Sequence, residues 1–471
     1  MDRIEPDVLQ RPGLPAAAHA RRGRPLRLAV VGAGISGLAA AWLLAKHHRV
    51  TLYEANDHLG GHTNTVDVTL GGVTHPVDTG FLVYNEKTYP NLSAMFRHLG
   101  VPTAASEMSF SVSLGDRDLE WAGTNLATVF AQPSNLARRE FWRMLADILR
   151  FNREATRLAA RGAGDAMSLG DFLRAGRYGE AFRDWYLLPM AGAIWSCPTQ
   201  TMLDYPVETF VRFCANHGLL QVNGRPQWRT VRGGGREYVR RLAAKLDDVR
   251  LASPVRRVRA AGDEVHVATC RGIERFDGAV LACHGDQALR LLEDPTPEER
   301  AILGKVRYQW NKAVLHTDRS LLPRRERAWS AWNYLAGTNA GEDRPVGVSY
   351  LLNKLQPLPF TRPVVVTMNP PREPEAGDWI AEFDYEHPIF DRAAVEAQAM
   401  LPTIQGKRGL WFAGAWTGYG FHEDGLKAGL AVANDLDCFA PWQGVGEAVE
   451  DEVANDAAIA WAPWRPAAAT R

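Results

Sequence analysis

Cysteine is scarce in this chain of 471 residues: Cys197, Cys214, Cys270, Cys283 and Cys438 are the five present. The count is odd and no two form a C-x-x-C pair, so neither a disulfide framework nor a metal site is expected. A reducing cytoplasm is the natural setting. Long apolar runs are also missing: none approaches the ~20 residues of a spanning helix. Nor does either sign of charge dominate, with 54 Lys and Arg against 54 Asp and Glu. A net charge of zero argues against bulk electrostatic binding, so no nucleic-acid partner is expected. No internal repeat is visible. Arg21 and Arg22 precede an apolar stretch ending at Ala45 and superficially resemble an export signal. Glycines interrupt that stretch and a second strand follows it, so export is rejected.

Hydrophobic residues make up 46%, enough for a sizeable core, and the length suggests two or three domains. Near the start stands "VVGAGISGLAAAWLLAKHHRVTLYEANDHLGGHTNT". Leu28 to Val31 is a short apolar run, as for a strand buried on both faces. Gly32, Gly34 and Gly37 follow in G-x-G-x-x-G spacing. These glycines permit a tight turn, close approach to a pyrophosphate, and close packing of helix on strand. Ser36 to Lys46 reads as a helix of strong helix formers. Its N-terminal N–H groups and dipole favour a bound phosphate. Arg49 to Tyr53 is a second strand, with Glu54 at its end. A carboxylate there accepts hydrogen bonds from ribose hydroxyls and repels a 2′-phosphate, which disfavours an NADP-type ligand.

Residues 1–25 read as a flexible leader and 441–471 as a C-terminal tail. "TVDVTLGGVTHPVDTG" alternates in strand fashion about a Gly71-Gly72 turn. From about Glu86 to Arg161 the pattern is mostly helical. "VRGGGREYVRRLAAKL" places glycines before an amphipathic helix, and several short strands follow up to Cys283. Strand, glycine and helix signals return in "GLWFAGAWTGYGFHEDGLKAGLAVA", from Gly409 to Ala433. The expected fold is α/β. A Rossmann-like, glutathione-reductase-type nucleotide domain comes from residues 26–85, 225–290 and 405–440. A mixed α+β substrate domain from 86–224 and 291–404 is interleaved with it.

The fingerprint through Glu54, the Gly60-Gly61 doublet, "DGAVLACHGDQAL" and the Gly409–Ala433 stretch together resemble one superfamily. It comprises the flavin amine oxidases, phytoene-type desaturases and protoporphyrinogen oxidases, and a bacterial "NAD/FAD-binding protein" group is the nearer likeness. The resemblance runs from Leu26 to about Leu436. It implies FAD, with Gly32, Gly34, Ser36 and Gly37 on the pyrophosphate and Glu54 on the adenosine ribose. Gly61, His62 and Thr63 would pass along the flavin side, and the backbone of Val255 would contact adenine. Gly414 and Ala415 would lie against the pyrophosphate and ribityl chain. Gly425 and Leu426 would present N–H groups to the pyrimidine edge, stabilising charge on the reduced flavin. Two positions depart from the usual pattern: His62 stands for arginine and Ala415 for an acid. The cysteine to which monoamine oxidases attach flavin has no counterpart here, so FAD is expected to be non-covalent.

Flavin oxidation of a C–H bond needs the carbon held against the ring, and a base is optional. His422 either walls the substrate pocket or orients the start of its helix. Tyr385 and His387 either line that pocket or serve a turn before Pro388. Lys312 resembles a lysine that binds water at the flavin, with a solvated surface lysine as the alternative. Trp195, Trp329, Trp332 and Tyr334 are candidates for an apolar wall or for core packing. The stretch 138–161 is basic and amphipathic. Phe141, Trp142, Leu145, Ile148, Leu149 and Phe151 lie on its apolar side, beside Arg138, Arg139, Arg143, Arg150 and Arg153. It suits either a membrane surface, at the inner face of the membrane, or its own domain. The resulting expectation is an FAD-dependent oxidoreductase desaturating a small hydrophobic or lipid-like substrate. A peroxide-releasing amine oxidase, a flavin-bound sensor without turnover and a nicotinamide dehydrogenase are the alternatives.

Overall fold

The computed structural model describes residues 24–161, 167–195, 202–221, 224–336 and 347–443. A five-stranded parallel sheet holds Asp248–Arg250, Arg49–Tyr53, Arg27–Val31, Gly278–Leu281 and Leu410–Phe412, in that spatial order. Its strands come from distant parts of the chain. The central strand is buried on both faces, as its unbroken apolar run demands. Leu28 and Val30 enter one core cluster, while Ala29 enters another with Tyr53, Ala279 and Leu281.

The helix Ile35–Leu44 follows the glycine loop and is buried along its whole length. That is why it is made of alanine, leucine and glycine: the sheet and two other helices crowd it. The helix His422–Asp435 approaches so closely that a Cβ on Gly429 would lie 2.4 Å from the Ser36 carbonyl oxygen. The helix Arg236–Ala243 also packs against it.

A second sheet has seven strands. In order they are Trp379–Ile389, Arg307–His316, Val365–Met368, Gly347–Leu351, Trp332–Ala336, Phe110–Leu114 and Leu119–Ala122. Pairing is antiparallel except between Trp332–Ala336 and Phe110–Leu114. The region 86–161 is therefore less helical than its pattern suggests. "FSVSL" and "LEWA" are strands because the sheet supplies them with partners, which no local periodicity reveals. The hairpin about Gly71 and Gly72 forms as expected, with both glycines at positive φ, 59° and 80°. At the start of the tail, Trp442 stacks on Trp42 and donates to Asn91 Oδ1 at 3.2 Å. Cys197 lies outside the described residues. No described helix is long and apolar enough to cross a membrane.

Candidate flavin site

The carboxyl ends of the five parallel strands lie along one edge of the sheet, the usual side for a nucleotide in such sheets. Gly32 takes a φ of 102°, and a Cβ there would collide with the Ala282 carbonyl oxygen at 2.5 Å. Only glycine can make this turn between two strands. A Cβ built on Gly34 meets nothing within 4 Å, so open space lies against the backbone where the helix begins. No side chain caps that helix, which leaves its first N–H groups free to meet an anion. Glu54, 7% exposed, accepts hydrogen bonds from the N–H of Ala33 at 2.8 Å and of Asn56 at 2.9 Å. It thus braces the glycine loop itself. The Val255 loop is tied to the same corner, because the Ser253 N–H donates to the Glu54 carbonyl at 2.8 Å.

The Gly60–Asn64 turn is the hub of the site. The Gly60 N–H donates to the Ala33 carbonyl at 2.9 Å, and Gly61 lies against Gly34. From there three consecutive side chains diverge. The His62 ring lies 5.2 Å from that of Tyr385, 5.4 Å from His387 and 6.3 Å from His284, and its Nε2 is buried without a partner. Thr63 Oγ1 shares hydrogen bonds with His422 Nε2 at 2.8 Å and with the Tyr238 hydroxyl at 2.5 Å. Asn64 Nδ2 donates to the Tyr385 hydroxyl at 3.1 Å, and that hydroxyl also pairs with Thr79 Oγ1 at 2.9 Å.

The histidines of this hub are neutral. Burial, and then the neighbouring His284, hold His62 down at about 4. Burial and then His62 hold His387 and His422 at about 3. His387 Nδ1 faces the amide of Asn311 at 3.1 Å, so the proton sits on Nε2. Among the described residues no group of three or more His, Cys, Asp or Glu is arranged to hold a metal ion.

Further along, Gly414 follows the last parallel strand, and the Trp416 indole donates to the Cys283 carbonyl at 3.1 Å. Ala415 adjoins it at the start of a short turn that faces Gly425. Gly425 packs on Ile35 and Ser36, and Leu426 beside it is fully buried. The residues expected around a dinucleotide are thereby brought together, and the open ground at Gly34 fits a pyrophosphate.

The placement of the other candidates is mixed. His422 is the first residue of its helix, with its ring stacked on Phe81 at 3.8 Å. Tyr385 sits on the inner face of its strand opposite Asn311. Lys312 must be corrected. It is the next residue along its strand and faces the other way, bridging Glu373 at 3.0 Å and Glu382 at 3.3 Å. Trp329 is likewise elsewhere, with Arg319 over its ring. Trp332 packs edge-on to Tyr350, and Tyr334 lies on the same side of that strand. Trp195 closes an aromatic group with Tyr205, Phe210 and Phe213.

Sequence reasoning missed Tyr238, Phe81 and Asp78. The triple glycine before helix Arg236–Ala243 was the available signal for Tyr238. A Cβ on Gly235 would strike Thr63 at 2.4 Å and one on Gly234 would strike Thr65 at 2.3 Å, so only glycines admit this helix to the hub. Asp78 accepts from Thr65 Oγ1, the Gly235 N–H and Gln356 Nε2 at 2.5, 2.9 and 2.8 Å, and burial pushes it up to about 6.

Comparison with known proteins decides the family. The model for flavin-containing amine oxidoreductases matches residues 35–368. The chain belongs to that family. The chain is 30% identical to the carotenoid phi-ring synthase of Streptomyces griseus over 308 residues, 60% of this chain and 57% of that protein. The match thus spans little over half of the relative's own length. Among solved structures, wild-type putrescine oxidase bound to putrescine aligns with a TM-score of 0.61 at 17% identity. That alignment covers 88% of this chain and 99% of the other. The CLA-producing fatty acid isomerase from P. acnes aligns at 0.61 and 16%, covering 88% and 97%. These likenesses establish the fold. The family is one of flavin-containing oxidoreductases, which implies FAD as the cofactor.

Proposed function

We propose that this flavoenzyme desaturates a hydrophobic, uncharged carbon chain, with FAD held non-covalently. When bound, the flavin supplies the hydride acceptor. Gly32, Gly34, Ser36 and Gly37 receive the pyrophosphate, Glu54 the ribose, and the Val255 backbone the adenine. His62 and Thr63 border the flavin, Gly414 and Ala415 the ribityl chain, and Gly425 and Leu426 the pyrimidine edge. These residues lie in segments 26–85, 225–290 and 405–440, and the substrate is held mainly by 86–224 and 291–404.

The observation that carries the substrate reading is electrostatic. The buried carboxylates beside the hub are committed to the protein's own donors, and the remaining neighbour, Glu386, is half-exposed beside His284. Asp78 is held by Thr65, Gly235 and Gln356. Glu423 caps the helix Pro90–Leu99 through the N–H groups of Asn91 and Leu92, at 3.1 and 2.9 Å. Asp424 accepts the Phe421 N–H at 3.0 Å. His62, His387 and His422 are neutral. A substrate ammonium buried here would lose its hydration without gaining a free buried carboxylate, a large cost. A hydrocarbon loses nothing of the kind, and Tyr385, its ring stacked with that of Phe383, offers it aromatic contact. Similarity to a carotenoid synthase and a fatty acid isomerase supports the same direction.

The test is anaerobic bleaching of the flavin absorbance. Polyenes and unsaturated fatty acyl chains should reduce the flavin, and primary amines should not. Bleaching by amines, with hydrogen peroxide formed on readmitting air, would replace this reading with an amine oxidase. Absence of bleaching by either panel would favour a binding protein.

A further inference from the structure

The helix Arg139–Arg161 has two unlike sides. One side is core: Phe141, Met144, Phe151 and Ala155 are at most 1% exposed. The amphipathic pattern is thus mostly spent on the protein's own interior, but not all of it. Trp142 and Leu149 are 49% and 61% exposed. They are seven residues apart, two turns, and share one outward stripe. Leu136, 54% exposed, adjoins them, since its carbonyl accepts the Trp142 indole N–H at 2.9 Å. The Phe130 ring lies 5.3 Å from that of Trp142, and Leu126, 78% exposed, begins the short helix that leads into Phe130.

Arginines border this apolar ground. Arg139, Arg143, Arg153 and Arg157 are exposed, on or beside the same stripe, and none forms an ion pair among the described residues. The acids of the helix lie mostly on its other side and are occupied. Asp147 takes Arg150 and the Gly179 N–H, and Glu154 takes the Tyr178 hydroxyl. Glu140 is the exposed exception. In a chain of zero net charge, this face therefore concentrates unneutralised positive charge around exposed tryptophan and leucine.

We propose that this face docks on an anionic lipid bilayer. The helix lies in the plane of the surface. Trp142, Leu149, Leu136 and Leu126 enter the headgroup layer, while Arg139, Arg143, Arg153 and Arg157 meet lipid phosphates. Charge complementarity selects the lipid surface, and tryptophan suits its boundary. The proposal concerns a surface outside the flavin site and stands whatever substrate is oxidised.

The FAD-loaded full chain is sedimented with vesicles of phosphatidylcholine alone and of phosphatidylcholine mixed with phosphatidylglycerol, at low and high salt. The wild-type protein should sediment with the mixed vesicles at low salt, less at high salt, and little with phosphatidylcholine alone. Trp142→Ser with Leu149→Ser should weaken binding at least about tenfold. Arg139→Gln, Arg143→Gln, Arg153→Gln and Arg157→Gln together should abolish the salt dependence. Flavin absorbance and Tm report that each variant is folded, and the two sets test the face separately. Protein that stays in the supernatant at low salt overturns the proposal. So do serine variants that bind like wild type, or a wild-type dimer on size-exclusion chromatography that the serine variants dissolve.

Discussion

Replacing Glu54 by alanine should produce two separable losses. The first is in the protein alone. The side chain accepts from the buried Ala33 N–H and from the partly buried Asn56 N–H. Stranding a buried donor costs roughly 1–3 kcal/mol, and the Asn56 N–H, nearer water, costs less. The apoprotein should therefore lose about 2 kcal/mol of stability. The second loss is in the cofactor. A carboxylate bonded to a ribose hydroxyl is worth roughly 1.5–3 kcal/mol, so the FAD Kd should rise roughly 10- to 150-fold. Glu54→Gln keeps one oxygen for one of the two N–H groups but turns an amide NH2 toward the other, so both losses should be intermediate. Thermal unfolding of the apoprotein reads the first effect, and titration with FAD by flavin fluorescence reads the second. A Kd within about twofold of wild type would mean that Glu54 only braces the glycine loop. Unchanged apoprotein stability would refute the brace.

Four further outcomes are expected. Lys312→Ala should leave the rate of flavin reduction unchanged and cost less than about 1 kcal/mol, since its ion pairs are on the outer face; a slowed reduction would return it to the site. His422→Ala removes a ring stacked on Phe81 and should cost about 2–4 kcal/mol. The fully FAD-loaded variant should also be reduced more slowly, and a wild-type rate would leave the residue a purely structural role. Acid or heat should release intact FAD into the supernatant; flavin retained by the precipitate would reveal a covalent link. Stability should fall as pH drops from about 6.5 to 4, because His62, His217, His316, His387 and His422 sit at about 3 to 4 when folded and take protons first in the unfolded chain. Asp78 and Asp424, raised to about 6, act in the opposite direction over much of that window but are fewer. A Tm that holds or rises down to pH 4 would contradict this.

The parts of the molecule legible in sequence are those where chemistry and local pattern coincide. The glycine loop, the acid at the end of the second strand and the hairpin at Gly71-Gly72 each require particular residues at fixed spacing. What escaped depends on long-range pairing. Tyr238 is 175 residues from Thr63, and only the crowded approach of Gly234 and Gly235 brings it near. The orientation of Lys312 follows from strand register, where a shift of one residue exchanges the two faces. The strand Phe110–Leu114 joins the sheet through a partner more than 200 residues away, and Leu119–Ala122 is added to its other edge as a short antiparallel hairpin. The pattern of 138–161 is amphipathic, yet pattern alone does not say which apolar residues the interior claims. Phe141 and Phe151 go in, while Trp142 and Leu149 stay out.

The departure at His62 explains the character of the site better than the glycines of the loop do. An arginine at that position would stay charged at any relevant pH and would need an anion beside it. Histidine can give up its charge, and here it does, because burial penalises the cation and His284 is its neighbour. The carboxylate that approaches this group, Glu386, lies 3.3 Å from His284 and is half-exposed. His62 therefore keeps a buried, unpartnered nitrogen on the hub from which Thr63 and Asn64 reach His422 and Tyr385. That nitrogen can meet the cofactor or an uncharged substrate by a hydrogen bond, without bringing a permanent cation into the interior. The same economy of charge holds for Asp78, Glu423 and Asp424, each consumed by the scaffold. The unpaired cations on the Trp142 face are at the surface instead. The proposed hydrocarbon substrate and the proposed lipid docking thus rest on one distribution of charge, with neutral groups at the hub and unpaired cations on the outer face.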